Sequence, residues 1–454
     1  MSDNGASSGA GAGDPVGGAA VDLSKYHNRL EQLDIVRQSG RVAQVIGLVI
    51  ESDGPQAQVG EVCYIRPRNS LASVTAEVVG FREGKLLLMP LGDMTGIEPG
   101  SKIVAGGKSL GVRVGDELLG RVLDGLGNPM DGLGPIHAVA EYPVSSQPPN
   151  PLARPRISQP LTLGVRAIDG LLTCGSGQRV GIFSGSGVGK STLLGMIARN
   201  TRADVNVIGL VGERGREVLE FIQGDLGEEG LARSVVVVAT SDTPALVRIK
   251  GAMVATAIAE YFRDRGLNVM LMMDSVTRFA MAQREVGLAI GEPPATKGYT
   301  PSVFALLPKL LERSGTSERG TITGLYTVLV DGDDLTEPIA DAVRSILDGH
   351  IVLSRQLADK NHYPAVDVLK SVSRVMDNIV SPQQKLAAGR FRDLLATYRE
   401  SEDLINIGAY VSGSNAKIDR AIEMIDSLNE YLRQAKEERA SYERAVERLL
   451  ALAG

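Results

Sequence analysis

The chain has 454 residues, of which 43% are hydrophobic and 22% charged, and its formal net charge is -6. This length predicts about two or three domains, and the composition is that of a soluble globular protein, which excludes a wholly disordered chain and a membrane-embedded one. The acidic balance argues against nonspecific nucleic-acid binding, because such binding needs a basic surface.

Cysteine and histidine usage gives no sign of a metal centre. Cys63 and Cys174 are the only cysteines and lie far apart, which indicates free thiols in a reducing compartment. The four histidines are scattered along the chain.

The N-terminus is not signal-like, and no apolar run reaches the roughly 18 residues of a membrane span. We therefore expect a cytoplasmic protein.

The N-terminal segment divides into a tail and a short helix. Residues 1–20 are rich in Gly, Ala and Ser, so we expect a disordered tail over 1–22. An apolar stripe at helical spacing then predicts an amphipathic helix, with Leu23, Tyr26, Leu30 and Leu33 on one face. The simplest interpretation is a helix that caps its own domain. Docking to a regulator or to a membrane surface is the alternative.

Short β-rich runs broken by turn residues follow the helix, at 42–50, 61–65, 73–80 and 85–89. This spacing predicts a small antiparallel β-barrel, which together with the helix forms a domain over 23–108. Residues 1–108 hold ten Lys and Arg against twelve Asp and Glu. A nucleic-acid groove needs the opposite balance, so the barrel is not expected to bind nucleic acid.

Beyond a proline-rich linker, strands alternate with helices from about 160 to 380. Candidate strands are 178–183, 206–211, 234–239, 268–273 and 321–330. This alternation predicts a parallel sheet covered by helices, with ligands at the carboxyl ends of the strands. We assign residues 109–380 to this central α/β domain.

The run SGSGVGKST at 184–192 directly follows the first of these strands and is a phosphate-binding loop. The backbone N–H groups of such a loop surround phosphate oxygens, Lys190 brings a positive charge to the outer phosphates, and the Ser191 hydroxyl can ligate Mg²⁺. Ser184 stands where the strict pattern has glycine. The predicted nucleotide-binding residues of the loop are Gly185, Ser186, Gly187, Val188, Gly189, Lys190, Ser191 and Thr192.

Two carboxylates follow later strands of the same domain. Asp274 ends the apolar run 268–273, the position from which a carboxylate holds magnesium through its water shell. Glu213 follows the run 206–211, where it can accept a hydrogen bond from an attacking water. The alternative for Glu213 is an acid placed at a helix start by the dipole. The phosphate-binding loop favours the catalytic interpretation.

The chain is predicted to be mostly helical after Pro382, and we assign 381–454 to a C-terminal helical domain. An apolar stripe made of Ile418, Ile422, Ile425, Leu428 and Leu432 predicts core packing within a helical bundle. A last helix carries Tyr442, Val446 and Leu449 and is interpreted as a partner surface. The predicted fold is thus multi-domain: a small N-terminal β-barrel, a central α/β RecA-like P-loop NTPase domain and a C-terminal helical domain.

Several longer motifs carry a family resemblance over about residues 41–433. The run 364–373 (PAVDVLKSVS) resembles the signature of the rotary ATP synthase α/β superfamily. Residues 291–294 (GEPP), 298–304 (GYTPSVF) and 346–355 (ILDGHIVLSR) are similar to the type III protein-export ATPases. Residues 330–334 (VDGDD) and 403–410 (DLINIGAY) resemble the flagellar branch more than the virulence-injectisome branch.

The resemblance implies a role for individual residues, with ATP and Mg²⁺ as ligands. Lys190 would contact the β and γ phosphates, and Glu213 would polarise the attacking water. The other implied roles are Ser191 and Asp274 as direct and water-mediated magnesium ligands, Arg374 as an arginine finger in the neighbouring subunit's site, Tyr363 as the aromatic that stacks on adenine, and Arg214 as a residue near the γ-phosphate. An ordinary surface salt bridge for Arg374 and ordinary packing for Tyr363 are the alternatives.

The resemblance also implies a setting. It suggests a homohexameric ATPase of the flagellar export gate, peripheral to the inner membrane, which releases and unfolds chaperone-bound substrates. Implied partners are export-gate and stalk proteins, a regulator on the N-terminal helix and chaperone–substrate complexes, with no nucleic acid. The loop 287–299 resembles the segment that faces the central channel of the ring.

Four other functions share parts of this pattern. An injectisome ATPase has the same catalytic residues and differs only in its partners. The export-like motifs argue against the rotary synthase catalytic subunit, and the slightly acidic barrel argues against a hexameric RNA translocase of the termination-factor type. Glu213 argues against a nonhydrolysing structural subunit.

Overall fold

The computed structural model describes residues 38–67, 72–330, 332 and 334–453. The predicted tail over 1–22 and the amphipathic helix that begins at Leu23 lie outside the described residues. Both therefore stay predictions.

The N-terminal domain is a closed antiparallel barrel of six strands in the order β1-β2-β5-β4-β3-β6. Its strands are β1 (Ser39–Ile46), β2 (Val49–Asp53), β3 (Glu61–Arg66), β4 (Val74–Arg82), β5 (Lys85–Pro90) and β6 (Lys102–Ser109). The β-rich run 42–50 is divided between β1 and β2, because Gly47 has φ 58° and turns the chain into a hairpin. Glycine adopts this left-handed conformation without the steric cost that a side chain would add. Strand β6 was not predicted.

The central domain contains a large, mostly parallel sheet in the order β17-β16-β10-β15-β13-β11-β12-β8. Strands β7 (Gly111–Val114) and β9 (Ala140–Pro143) form a separate pair. The remaining strands are β8 (Val122–Asp124), β10 (Arg179–Ser184), β11 (Val205–Val211), β12 (Ser234–Ala239), β13 (Asn268–Asp274), β14 (Gly315–Thr316), β15 (Thr321–Leu329), β16 (Gly349–Leu353) and β17 (Val372–Ser373). All five predicted strands are confirmed, while the shorter strands β8, β14, β16 and β17 of the same sheet were missed.

Helices cover both faces of this sheet. They are α1 (Arg166–Leu171), α2 (Lys190–Asn200), α3 (Gly215–Glu220), α4 (Gly227–Ala232), α5 (Ala245–Asp264), α6 (Val276–Ile290), α7 (Pro301–Leu311), α8 (Pro338–Ile346), α9 (Arg355–Asp359) and α10 (Met376–Ile379). Alternate residues of β13 enter two separate cores, with Leu271 and Met273 in one and Met270 and Met272 in the other. Side chains of a strand alternate between faces, so a strand covered on both sides is apolar throughout.

The C-terminal domain consists of α11 (Pro382–Asn406), α12 (Ala416–Leu432) and α13 (Tyr442–Ala453). Of the predicted stripe on α12, Leu428 and Leu432 are buried, whereas Ile418, Ile422 and Ile425 are half-buried. The interpretation of the last helix as a partner surface needs correction. Its apolar face packs inside this chain against α1 and α11, with Ala445 and Leu449 fully buried. The predicted three-part architecture is confirmed.

Within the described ranges, no helix combines the length and the apolarity that a membrane-spanning segment needs.

A buried ion pair between Arg313 and Glu260 also binds the chain at Val144, and so connects the segment before the central sheet to the central domain. Arg313 Nε and Nη2 lie 2.9 and 2.6 Å from the two carboxylate oxygens of Glu260 on α5, and Nη1 donates to the Val144 carbonyl at 2.8 Å. The side chains of Arg313 and Glu260 are only 3% and 5% exposed. Removing one partner from such a pair leaves the other charge buried without compensation.

We therefore expect Arg313→Met to lower the free energy of unfolding by about 3 to 5 kcal/mol. The double variant Arg313→Met with Glu260→Met should lose less, because no charge is then left unpaired. The chain has no tryptophan, so denaturation in urea is best followed by circular dichroism.

The matched control is Arg202→Met, which breaks the exposed pair between Arg202 and Glu443, whose side chains are 63% and 60% exposed. That change should cost about 0.5 kcal/mol or less. Equal losses for the two single variants would contradict the role assigned to the buried pair.

Candidate active site

The phosphate-binding loop connects β10, in the interior of the sheet, to the first residue of α2. Gly187 and Gly189 have φ 76° and 88°, values that let the loop close tightly and that disfavour any other residue. The amino end of α2 opens onto a cavity of about 500 Å³. All predicted loop residues except Val188 line this cavity, and Val188 is instead buried in the core. A helix amino terminus with free N–H groups is suited to bind phosphate.

Lys190 meets both predicted carboxylates. Its Nζ lies 2.5 Å from Asp274 Oδ1 and 3.3 Å from Glu213 Oε1. The sheet brings them together, because β11 and β13 are neighbours with Leu210 opposite Asp274. Glu213 lies just beyond the end of β11, and Asp274 is the last residue of β13. The predicted grouping at the carboxyl edge of the sheet is thus realised in space.

The charges of this group depend on one another. Burial, and after it the negative charge of Asp274, raise the pKa of Glu213 to about 7, although Lys190 opposes the shift. Burial by itself would lower the pKa of Lys190, but Asp274 and Glu213 outweigh that effect, so its pKa lies above the ordinary value. Lys190 is therefore charged, and Glu213 can hold or release a proton near neutral pH.

The residues predicted to bind magnesium fit that ion. Ser191 lines the cavity next to Lys190, and the Asp274 carboxylate is buried at the sheet edge behind it. In the described part of the chain no group of three or more His, Cys, Asp or Glu is placed to hold a metal. A hydroxyl and one carboxylate are what Mg²⁺ requires from a protein when water and substrate phosphates complete its shell.

Arg214 lines the cavity, and Tyr363 lies next to the phosphate-binding loop without lining the cavity. The Tyr363 ring sits over Gly189, where a Cβ would be only 3.4 Å from Cε1, and the residue is 42% exposed. An aromatic ring is thus available beside the loop. Arg214 precedes α3, lines the cavity and pairs with Glu217 at 3.2 Å on an exposed surface.

Arg374 is not brought to the loop of its own chain. It follows β17, which pairs with the amino end of β16 through Gly349 and Ser373. The loop lies at the opposite, carboxyl edge of that sheet. Arg374 is exposed, and among the described residues its guanidinium has no ion-pair or hydrogen-bond partner. The salt-bridge alternative is therefore not realised within that part of the chain.

Sequence reasoning missed several residues of the site. Thr327 on β15 donates to Asp274 Oδ1 at 2.6 Å, and Arg355 donates to the Ser186 carbonyl at 3.1 Å. Arg278 and Glu217 line the cavity. Arg278 lies one helical turn after Asp274, a signal that could have been used. Thr327 carried no such signal, since its position depends on strand pairing.

The segment 287–299 is only partly a loop. Gly287 is still in α6, which continues to Ile290, and the irregular segment begins at Gly291. Arg82 of the barrel donates to the Ile290 carbonyl at 2.7 Å, which ties this segment to the N-terminal domain.

Comparison with known families agrees with this architecture. The ATP synthase alpha/beta family matches twice, with its nucleotide-binding domain over 164–373 and its beta-barrel domain over 42–107. The T3SS EscN ATPase C-terminal domain matches 380–451.

Individual relatives match nearly the whole chain. The flagellum-specific ATP synthase of Bacillus subtilis is 59% identical over 94% of this chain and 97% of its own length. The type 3 secretion system ATPase of Xanthomonas euvesicatoria is 53% identical over 93% and 96%. Among solved structures, the assembled ATPase EscN of the enteropathogenic E. coli type III secretion system has a TM-score of 0.87 at 48% identity, over 91% of this chain and 100% of that chain. The chain belongs to the ATP synthase alpha/beta family, among its type III export ATPases.

The raised pKa of Glu213 makes stability depend on pH. Between about pH 4.5 and about 7 the folded protein holds a proton that the unfolded chain has released, so the carboxyl group makes folding less favourable as pH rises through this window. Glu213→Gln removes this loss. Without nucleotide and with a chelator present, we expect the stability gain of Glu213→Gln over wild type to grow by about 2 to 3 kcal/mol from pH 5 to pH 8.

Urea denaturation across this pH range measures the difference. Glu220→Gln is the control, because Glu220 is exposed and pairs with Arg216 on the surface of α3. Its curve should run parallel to that of wild type. A Glu213→Gln curve that is also parallel would contradict the raised pKa.

Proposed function

We propose that this member of the ATP synthase alpha/beta family is the ATP-hydrolysing motor of a flagellar type III protein export apparatus. In this proposal it works as a homohexamer that releases and unfolds chaperone-bound export substrates. One observation supports ATP hydrolysis by shared sites. Lys190, Glu213 and Asp274 meet beside the phosphate-binding loop, whereas Arg374, unpaired within the described residues, lies at the opposite edge of the sheet.

The proposed chemistry follows from these positions. The loop N–H groups and Lys190 bind the β and γ phosphates, and Lys190 then exchanges its carboxylate contacts for phosphate oxygens. Ser191 directly and Asp274 through water would hold magnesium, and the bound ion would neutralise phosphate charge. Glu213 accepts a hydrogen bond from the attacking water and orients it. Arg214 lies near the γ-phosphate.

Base recognition and charge stabilisation complete the site. Tyr363 stacks on adenine from its place beside Gly189. Arg374 enters the site of the neighbouring subunit, where an arginine speeds phosphoryl transfer by about three to five orders of magnitude. A single subunit therefore lacks part of its catalytic machinery. The assembled form of EscN is consistent with a ring in which neighbours share each site.

The flagellar assignment is favoured by the names of similar proteins. The relatives from Bacillus subtilis and Treponema pallidum, 59% and 55% identical, are both called flagellum-specific ATP synthases. An injectisome ATPase is the second candidate, because the Xanthomonas relative at 53% identity is a type 3 secretion system ATPase. The proposed chemistry is the same for both candidates, so partners decide between them.

The remaining parts of the proposal concern setting and organisation. EscN has been solved with its central stalk EscO, which supports a stalk partner in the channel, next to the segment 287–299. We further propose contacts with export-gate proteins, with a regulator on the N-terminal helix and with chaperone–substrate complexes, at the cytoplasmic face of the inner membrane. Nucleic acid has no part in it. The proposed domains are 23–108, 109–380 and 381–454, after the tail 1–22.

Shared sites predict an activity that depends on assembly. Specific ATPase activity should rise steeply with protein concentration, in step with oligomeric mass measured by light scattering. Glu213→Gln and Arg374→Ala should each lower kcat by about 10³-fold or more while ATP still binds. Arg444→Ala, which removes an exposed arginine of α13, is the matched control and should keep wild-type activity.

Mixing the two inactive variants tests whether Arg374 acts across subunits. At a 1:1 ratio about one quarter of the interfaces combine an intact Glu213 on one side with an intact Arg374 on the other, so about a quarter of wild-type activity should return. No complete site arises in any mixture when both residues serve the same subunit's nucleotide. Absence of recovery in co-assembled rings would therefore overturn the shared-site mechanism.

The export role is tested in a Bacillus subtilis strain that lacks its flagellum-specific ATP synthase. We expect this chain to restore swimming and export of filament protein, and Glu213→Gln to fail at equal abundance. Arg444→Ala should restore both. Failure of the active wild-type chain at normal abundance, together with recovery of secretion in an injectisome mutant, would favour the second candidate.

A further inference from the structure

The segment between α12 and α13 crosses the nucleotide-binding domain. We call residues 433–441 the connector. The connector contacts three parts of that domain: Arg199 at the end of α2 donates to the Lys436 carbonyl at 2.7 Å, Glu229 of α4 pairs with Arg439, and Arg166 of α1 pairs with Glu438. The C-terminal helices are therefore attached to the helix that carries the phosphate-binding lysine.

Gln434 is the one connector residue that is almost completely buried, with 5% exposure. Its side-chain Oε1 accepts a hydrogen bond from the Arg166 N–H at 2.9 Å. Its Nε2 donates to the carbonyls of Gly164 and Glu438 at 2.8 and 3.0 Å. Both amide hydrogens and the amide oxygen are thus used, so the side chain is fixed in one orientation.

The backbone N–H of the same residue donates to the Tyr363 carbonyl at 3.0 Å. The Tyr363 ring lies over Gly189 at the end of the phosphate-binding loop. The chain around Tyr363 is also bound on the sheet side, where Ser354 N–H donates to the Ala365 carbonyl at 2.9 Å. The backbone of Tyr363 is therefore bound by Gln434 of the C-terminal domain, and the backbone two residues later is bound by the central sheet.

We infer that Gln434 is a positioning residue for base recognition: its buried side-chain amide fixes the connector, and the connector's N–H fixes Tyr363 over the end of the phosphate-binding loop. This inference rests on the proposed role of Tyr363 in stacking on adenine. It assigns to the C-terminal helical domain a direct part in nucleotide affinity, through one hydrogen-bonded joint and without contact to the phosphates.

The size of the effect follows from the strength of the contacts. A typical intramolecular hydrogen bond contributes about 1 kcal/mol, which corresponds to a change of about five-fold in an equilibrium constant. Loss of the Gln434 amide frees the joint and lets the Tyr363 ring leave its stacking position. The phosphate contacts of the loop are not touched by this change.

The experiment measures equilibrium binding by calorimetry, with Glu213→Gln present throughout to prevent hydrolysis. The probes are Mg-ATP and Mg-tripolyphosphate, which has the phosphates but no base. We expect Gln434→Ala to raise the Kd for ATP about five-fold and to leave the Kd for tripolyphosphate within about two-fold of the parent. Gln434→Glu, which keeps the size but loses both donor hydrogens, should act in the same way.

A cycle with Tyr363→Ala separates positioning from general damage. In the Tyr363→Ala background, Gln434→Ala should not raise the Kd for ATP further, since the residue that Gln434 positions is absent. Three results would each overturn the inference: an equal rise in the Kd values for ATP and tripolyphosphate, an unchanged Kd for ATP, or full additivity with Tyr363→Ala. Lys436→Ala is the control, because Lys436 uses only its carbonyl to hold Arg199.

The outcomes also distinguish this inference from the function it rests on. If Tyr363→Ala leaves ATP affinity unchanged, the adenine role of Tyr363 is wrong and the role of Gln434 is lost with it. If Tyr363→Ala weakens ATP while neither Gln434 variant does, only the positioning role is overturned. Thermal unfolding by circular dichroism identifies any variant that is not folded, and the second Gln434 variant then carries the test.

Discussion

The charge on Lys190 is the constraint on which the site depends. A buried ammonium group is costly unless opposite charges compensate it. Here the compensation comes from Asp274 and Glu213, which lie within 3.3 Å of its Nζ. They can do so only because β10, β15, β13 and β11 are consecutive in the sheet and end at one edge. The strand order therefore also sets the charges around Lys190, whose carboxylate partners would be replaced by phosphate in the proposed mechanism.

The same sheet separates the two halves of the proposed catalytic machinery. The groups proposed to bind and orient the nucleotide lie at its carboxyl edge, while Arg374 follows a short strand at the amino end of β16. A guanidinium this exposed, with no partner in the described part of the chain, has little to do for the stability of its own subunit. In the proposed arrangement Arg374 acts in a neighbour's site, so a single subunit lacks a catalytic group and is inactive.

The C-terminal domain is joined to the nucleotide domain by buried polar groups as well as by an apolar core that the two domains share. Besides Gln434, the amide of Gln384 on α11 donates to the carbonyls of Asp169 and Gly170, and Tyr442 of α13 donates back to Gln384 at 2.7 Å. Apolar contacts tolerate sliding, whereas hydrogen-bonded amides that are fully satisfied accept one orientation. These hydrogen bonds therefore fix the orientation of the helices relative to the nucleotide-binding domain.

The sequence alone determined what depends on neighbours along the chain: the phosphate-binding loop, the five long strands, the C-terminal helices and the candidates Glu213 and Asp274. It could not determine the hairpin at Gly47 within a β-rich run, the short strands β16 and β17, or the internal packing of α13. Thr327, Arg355 and Gln434 were also beyond it, because each acts through a contact with residues distant in sequence. Local pattern records propensity and spacing, while strand order and packing set which charges and hydrogen-bonding groups meet.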